Sequence, residues 1–106
     1  MLIHKLQDMI GGWYIGDFMP SVMRTSAFEI CHKVHKKGEI WPRHYHAQAT
    51  EINLLISGSM SINGTLLSAG DIFTISPNEI ASPIFYEDCV LTVVKTPSIV
   101  NDKFEV

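Results

Sequence analysis

Two histidines, His44 and His46, stand one residue apart, and Glu51 follows five positions after the second. On an extended strand, residues i and i+2 project to the same face about 6.5–7 Å apart along the backbone. Imidazoles at that spacing can converge on one ion at metal–nitrogen distances of about 2.0–2.2 Å. Glu51 opens the next apolar run and shares a face with Asn53 and Leu55. If the two runs pair across the turn Ala47–Thr50, its carboxylate reaches the same point. Two imidazoles and a carboxylate would make a facial set suited to iron, nickel, manganese or zinc, with positions left for substrate or water. The plainer alternative is a pair of polar residues on a solvated strand with an ionised carboxylate at its end.

Short β-type runs separated by turn residues would have to position these groups. Thr50–Ser57 alternates, with Ile52, Leu54 and Ile56 on one face and Glu51, Asn53 and Leu55 on the other. Met60–Leu66 encloses Asn63-Gly64, a strong two-residue hairpin signal. Trp13–Phe18, Phe28–Val34, Ile72–Ile75, Ser82–Tyr86 and Cys89–Thr96 read as further strands, punctuated by Lys36-Lys37-Gly38, Gly70-Asp71, Pro77-Asn78 and Glu87-Asp88. The one helix candidate, Ile3–Ile10, is short and stops at Gly11-Gly12. Many short strands at this spacing predict an all-β sandwich or barrel, and a barrel also removes exposed strand edges.

Gly38, five residues, His44, one residue, His46, four residues, Glu51, six residues and Gly58 resembles the first motif of the cupin superfamily at every fixed position. The resemblance implies an antiparallel β-barrel of jelly-roll type, the cupin double-stranded β-helix. It also implies that His44, His46 and Glu51 are ligands of a divalent transition metal. The second motif of that family is degraded. Gly70 is followed by Asp71–Ser76, one residue longer than usual, then by Pro77-Asn78-Glu79, with Glu79 in the place of a glycine and Ser82 in the place of the fourth ligand. No histidine follows His46. His32, sharing a face with Phe28 and Ile30, is the best substitute ligand, whereas His35 belongs to a basic stretch expected at an exposed hairpin tip. Asn53, Ser82 and Tyr86 are expected as polar groups of a substrate cavity, and Trp41 or Tyr14 could add an aromatic wall.

The 106 residues are expected to form one domain over 1–106, with 46% hydrophobic and 18% charged residues supplying a core. A net charge of −3 with mixed signs does not suit a nucleic-acid partner. Met1–Lys5 lacks the apolar run of a leader, and no stretch approaches the roughly 20 apolar residues of a membrane span. A cytoplasmic protein with reduced, buried Cys31 and Cys89 is therefore expected, with no membrane partner. The apolar Ile52, Leu54, Ile56 face needs a cover of its own, which predicts a homodimer or a role for the N-terminal segment. Functionally, the metal set predicts an enzyme acting on a small molecule, dioxygenase- or isomerase-like by the resemblance. The alternative is a non-enzymatic cupin binding a sugar-like or carboxylated ligand without metal.

Overall fold

The computed structural model describes residues 1–106 and consists of ten antiparallel strands in three hydrogen-bonded sheets. They are β1 (Trp13–Ile15), β2 (Glu29–His35), β3 (His44–His46), β4 (Thr50–Ser57), β5 (Ser59–Ile62), β6 (Thr65–Ser68), β7 (Ile72–Ile75), β8 (Pro83–Phe85), β9 (Cys89–Thr96) and β10 (Lys103–Glu105). One five-stranded sheet has the order β1-β2-β9-β4-β7. Facing it, β6-β5-β8 and β10-β3 form two smaller sheets, and a bridge between His44 and Ala81 stitches them together. Where a short helix was a candidate, only a 3-10 turn forms, at Leu6–Asp8. No helix is long and apolar enough to cross a membrane.

Period-2 alternation decides what lies between the layers. In β4, Asn53 and Leu55 are buried while Ile52 and Ile56 face outward, and in β9 Cys89, Leu91 and Val93 turn in together. Cys31, Leu55, Met60, Phe85, Cys89, Leu91 and Val93 form the main core. Burial of such side chains at about 25 cal/mol per Å² drives the closure of the two layers. Burial also pushes the Cys31 thiol up to about 11, so it behaves as a hydrophobe.

Two turns show why particular residues are required. The hairpin β5–β6 turns at Asn63 (φ 50°) and Gly64 (φ 82°), both in the left-handed region that the Asn-Gly pair tolerates. At Gly58 (φ 98°), between β4 and β5, a Cβ would stand 2.3 Å from the Asp88 carbonyl oxygen. Only glycine lets the chain turn so close to its neighbour there.

The pairing of the histidine strand corrects the expectation of a β3–β4 hairpin. β3 pairs with β10 (Lys103 opposite His46, Glu105 opposite His44), while β4 pairs with β7 and β9. The segment between His46 and Glu51 therefore passes from one layer to the other. The buried Asp102 carboxylate holds it, accepting N–H bonds from Gln48 (3.0 Å) and Ala49 (2.9 Å).

Candidate metal centre

Crossing between layers, rather than pairing within one, brings Glu51 to the histidines. Donor atoms of His44, His46 and Glu51 lie within 4.8 Å of one another, with both histidines buried. Their rings meet edge to face with centroids 5.3 Å apart. The group lines a cavity of about 210 Å³ that also includes Trp13, Trp41, Phe73, Phe85, Lys33, Lys95 and Lys103.

Hydrogen bonding decides which nitrogen of His44 is free. Its Nδ1 lies 2.9 Å from the Pro42 carbonyl oxygen, so Nδ1–H donates there and the Nε2 lone pair is left available. His46 Nδ1 is buried with no hydrogen-bond partner, 3.9 Å from Glu51 Oε2, and its Nε2 is 3.4 Å from Lys95 Nζ. Lys95 is held in turn by Glu29 at 3.0 Å, and Glu29 also accepts a 2.8 Å bond from the Ser98 hydroxyl. Its ammonium sits over the Trp13 ring at 4.8 Å.

Electrostatics favour donor forms of the imidazoles. Burial holds His44 below the ordinary histidine range, and burial together with the Lys95 ammonium brings His46 down to about 4. Burial raises Glu51, opposed by the charges of Lys95 and Lys103. A dication would relieve both strains, taking neutral nitrogens as ligands and compensating the buried carboxylate. Donors at about 2.0–2.2 Å from one ion stand about 3–4.4 Å apart, so the observed set needs only a small side-chain adjustment to close. With an unpartnered Nδ1 on His46, a free Nε2 on His44 and the Glu51 carboxylate, the residues fit a transition metal of borderline softness.

Of the residues expected in a substrate cavity, Asn53 lies in it, 4% exposed, with its Nδ2 unpartnered. Ser82 and Tyr86 do not line it. They share the outward face of their run with Ile84, which is 53% exposed, whereas Ala81, Pro83 and Phe85 point inward. The register is shifted by one relative to a count from Pro77. Counted from Gly70 instead, the fourth-ligand position falls on Ala81 and the glycine position on Asn78, whose φ of 68° takes the left-handed place. That extra residue between Gly70 and Pro77 was the available signal.

The expectation for the β2 histidines is reversed. His32 faces away from the cavity, its backbone N–H donating to Gly12 O at 3.0 Å under the N-terminal segment, so it is not a substitute ligand. His35 lines the cavity, 6% exposed, stacked on Phe85 at 4.2 Å and paired through Nδ1 with Glu39. Cys31, buried on the same side of the strand, marks the inward face. Lys95 extends the inward row of β9, while Lys103 comes from a strand that no local pattern announces.

No protein-family model matches the chain, and no curated protein does. Solved structures do. An uncharacterized conserved protein with a double-stranded β-helix domain from Klebsiella pneumoniae aligns over 98% of this chain and 90% of its own, with a TM-score of 0.70 at 19% identity. The DMSP lyase DddQ from Ruegeria pomeroyi gives a TM-score of 0.73 at 16% identity over 89% of this chain, which spans 50% of the lyase chain. An RmlC-like cupin from Shewanella frigidimarina gives 0.63 at 17% identity over 73% of this chain and 72% of its own. At these identities the likeness speaks for architecture.

Proposed function

From the premise that this chain has the cupin fold, a double-stranded β-helix, we propose that it is a metal-dependent enzyme acting on a small molecule. Its metal ligands in this reading are His44, His46 and Glu51. The observation that carries the reading is the convergence of those donor atoms within 4.8 Å inside a cavity. Iron, nickel, manganese or zinc suits the set. Bound there, such an ion would supply Lewis-acid polarisation or oxygen activation at its open positions. The DMSP lyase is an enzyme built on the same architecture.

The chain's own residues have separable tasks. Pro42 O fixes the His44 tautomer, so that the ring presents Nε2. Asn53 offers an amide donor to a ligand oxygen, and Trp13, Trp41 and Phe73 exclude water around it. Cys31 and Cys89, both free and buried, fit a reducing compartment such as the cytoplasm. The uncharged outer face of the large sheet fits a homodimer.

A metal-free binding module is the second reading. Ala81 at the fourth-ligand position and the Lys95 ammonium 3.4 Å from His46 Nε2 favour it. Metal analysis of the untagged protein and calorimetry with nickel and zinc separate the two. The enzyme reading expects near-stoichiometric metal, lost in His46→Ala and kept in His32→Ala. Equal binding by parent and both variants, or none by any, would hand the site to the metal-free reading.

A further inference from the structure

Lys33, Lys95 and Lys103 all line the cavity that holds His44, His46 and Glu51, in a chain whose net charge is −3. Lys95 is paired with Glu29 at 3.0 Å, but neither Lys33 nor Lys103 pairs with a carboxylate. Both ammoniums lie over one ring instead, Lys33 at 4.9 Å and Lys103 at 4.4 Å from the Trp41 centroid. They arrive from different sheets, Lys33 on β2 and Lys103 on β10 opposite His46. Like charges gathered around one aromatic ring repel each other, and their cation–π contacts oppose that repulsion. Burial, with the charges of Lys95 and Lys33, lowers the affinity of Lys103 for its proton.

A second, independent feature points the same way. Asn53 is 4% exposed, lines the same cavity, and leaves its Nδ2 without an acceptor. Two ammoniums without a carboxylate partner, Lys33 donating only to the Gly11 carbonyl oxygen at 3.4 Å, and an orphan amide N–H make a donor-rich wall that calls for an acceptor-rich ligand. No arginine lines the cavity to offer the two-pronged grip that suits phosphate. At about 210 Å³ the space is that of a small metabolite, below the roughly 300 Å³ at which drug-sized pockets begin.

We propose that the cavity takes a small carboxylated metabolite, its carboxylate drawn to Lys33 and Lys103 beside Trp41 and an oxygen received by the Asn53 amide. The assignment rests on the functional reading above in placing the ligand in the cavity of the metal set. The lysine cradle itself requires no metal.

Malonate is the probe, with inorganic phosphate and the neutral propane-1,3-diol as comparisons, each titrated calorimetrically into nickel-loaded and EDTA-stripped protein. Malonate should bind both forms and the diol neither. The double variant Lys33→Gln, Lys103→Gln should bind malonate at least about tenfold more weakly while its nickel affinity stays within about threefold. Lys36→Gln, at a surface lysine paired with Asp88 at 3.8 Å, should leave malonate binding unchanged. Thermal melts establish that the double variant is folded, and the single Lys103→Gln variant, on the exposed β10, carries the test should the double variant misfold. Unchanged malonate binding in the lysine variants would overturn the proposal, as would an equal loss in Lys36→Gln. Phosphate binding tighter than malonate would overturn the carboxylate assignment. If nickel fails to bind while malonate binding keeps its lysine dependence, the metal reading falls and the cradle stands. If nickel binds and malonate does not, the cradle alone falls.

Discussion

Ala81 lies directly across from His44, the two joined by reciprocal backbone bonds: Ala81 N–H donates to His44 O at 2.7 Å and His44 N–H to Ala81 O at 3.2 Å. A methyl group thus stands beside the histidine pair, where a fourth ligand would enter the cavity. In the proposed metal reading, this position therefore supplies no fourth side-chain donor beside His44, His46 and Glu51.

Restoring that ligand should be measurable. Ala81→His should tighten nickel or zinc binding by about tenfold or more, because a further imidazole joins a site whose backbone is already in place. Ala81→Ser, similar in size and a poor ligand, should change affinity little. Calorimetry on both variants checks this. An Ala81→His protein that stays folded and binds metal no better would show that the β8 register does not aim this side chain at the donors.

Much of this architecture was legible because hydrophobic alternation and turn chemistry act locally. Thr50–Ser57, Ile72–Ile75 and Cys89–Thr96 form strands with the bounds their patterns predict, and Asn63-Gly64 makes the expected hairpin. The convergence of His44, His46 and Glu51 was legible from spacing, but its geometric cause was not. A β3–β4 hairpin was the local expectation, whereas β3 is claimed by β10, a three-residue strand with no apolar period of its own. In β2 the alternation was right and the choice of inward face was not. Basic residues at its end suggested solvent, yet burial of Cys31 on the same face carries Lys33 and His35 into the cavity wall. The Ser82 register failed because one extra residue before Pro77 shifts the count by one, which turns Ala81, Pro83 and Phe85 inward in place of Ser82, Ile84 and Tyr86.

Asp102 should matter more than its place near the C-terminus suggests. Its carboxylate is 5% exposed and satisfies the N–H groups of Gln48 and Ala49 in the crossing between His46 and Glu51. Asp102→Ala would orphan both donors, each charge-assisted bond contributing about 1.5–3 kcal/mol. We expect a loss of about 2–4 kcal/mol in urea unfolding, with metal affinity reduced as well because the carboxylate ligand is no longer held against the histidines. A change below about 0.5 kcal/mol would mean that water replaces the carboxylate at no cost.

Acid should destabilise the metal-stripped protein before the carboxylates titrate. Burial holds His35 below its ordinary 6.5 despite the neighbouring Glu39, and the charges of Lys33 and Lys103 act in the same direction. His44 and His46 are depressed too, so in all three cases the unfolded chain binds protons that the folded one refuses. Stability from these groups is complete above the ordinary 6.5 and is lost as pH falls below it. Glu51, raised by burial, opposes the trend as pH falls toward and through its folded value. Each unit of histidine depression weakens folding by about 1.4 kcal/mol at sufficiently low pH. The melting temperature should therefore drop between pH 7.5 and 5.5. His35→Phe, which preserves the stack on Phe85, should flatten that slope. An unchanged slope would remove His35 from the account.

The outer face of the large sheet leads to a prediction about assembly. In register across β2, β9, β4 and β7, Ile30, Val94, Ile52 and Thr74 form one row, and His32, Thr92, Leu54 and Ile72 the next. Neither row carries a formal charge when His32 is neutral. Ile52 is 39% exposed, Ile56 47% and Ile72 68%, so the face is apolar and partly uncovered. The N-terminal segment lies at the β2 end, where Leu6 and Met9 line a surface hollow with His32 and Val34. A second copy placing the same face against this one would bury Ile52 and Ile56 by two-fold symmetry, the commonest symmetry among soluble oligomers. Light scattering at micromolar concentration should give twice the mass of the 11.9 kDa chain. The double variant Ile52→Lys, Ile56→Lys should then run as a folded monomer, since both side chains point away from the core and the lysines would meet their own copies across the axis. A parent that is already monomeric would end the dimer reading. A variant that still dimerises would place the interface on another face.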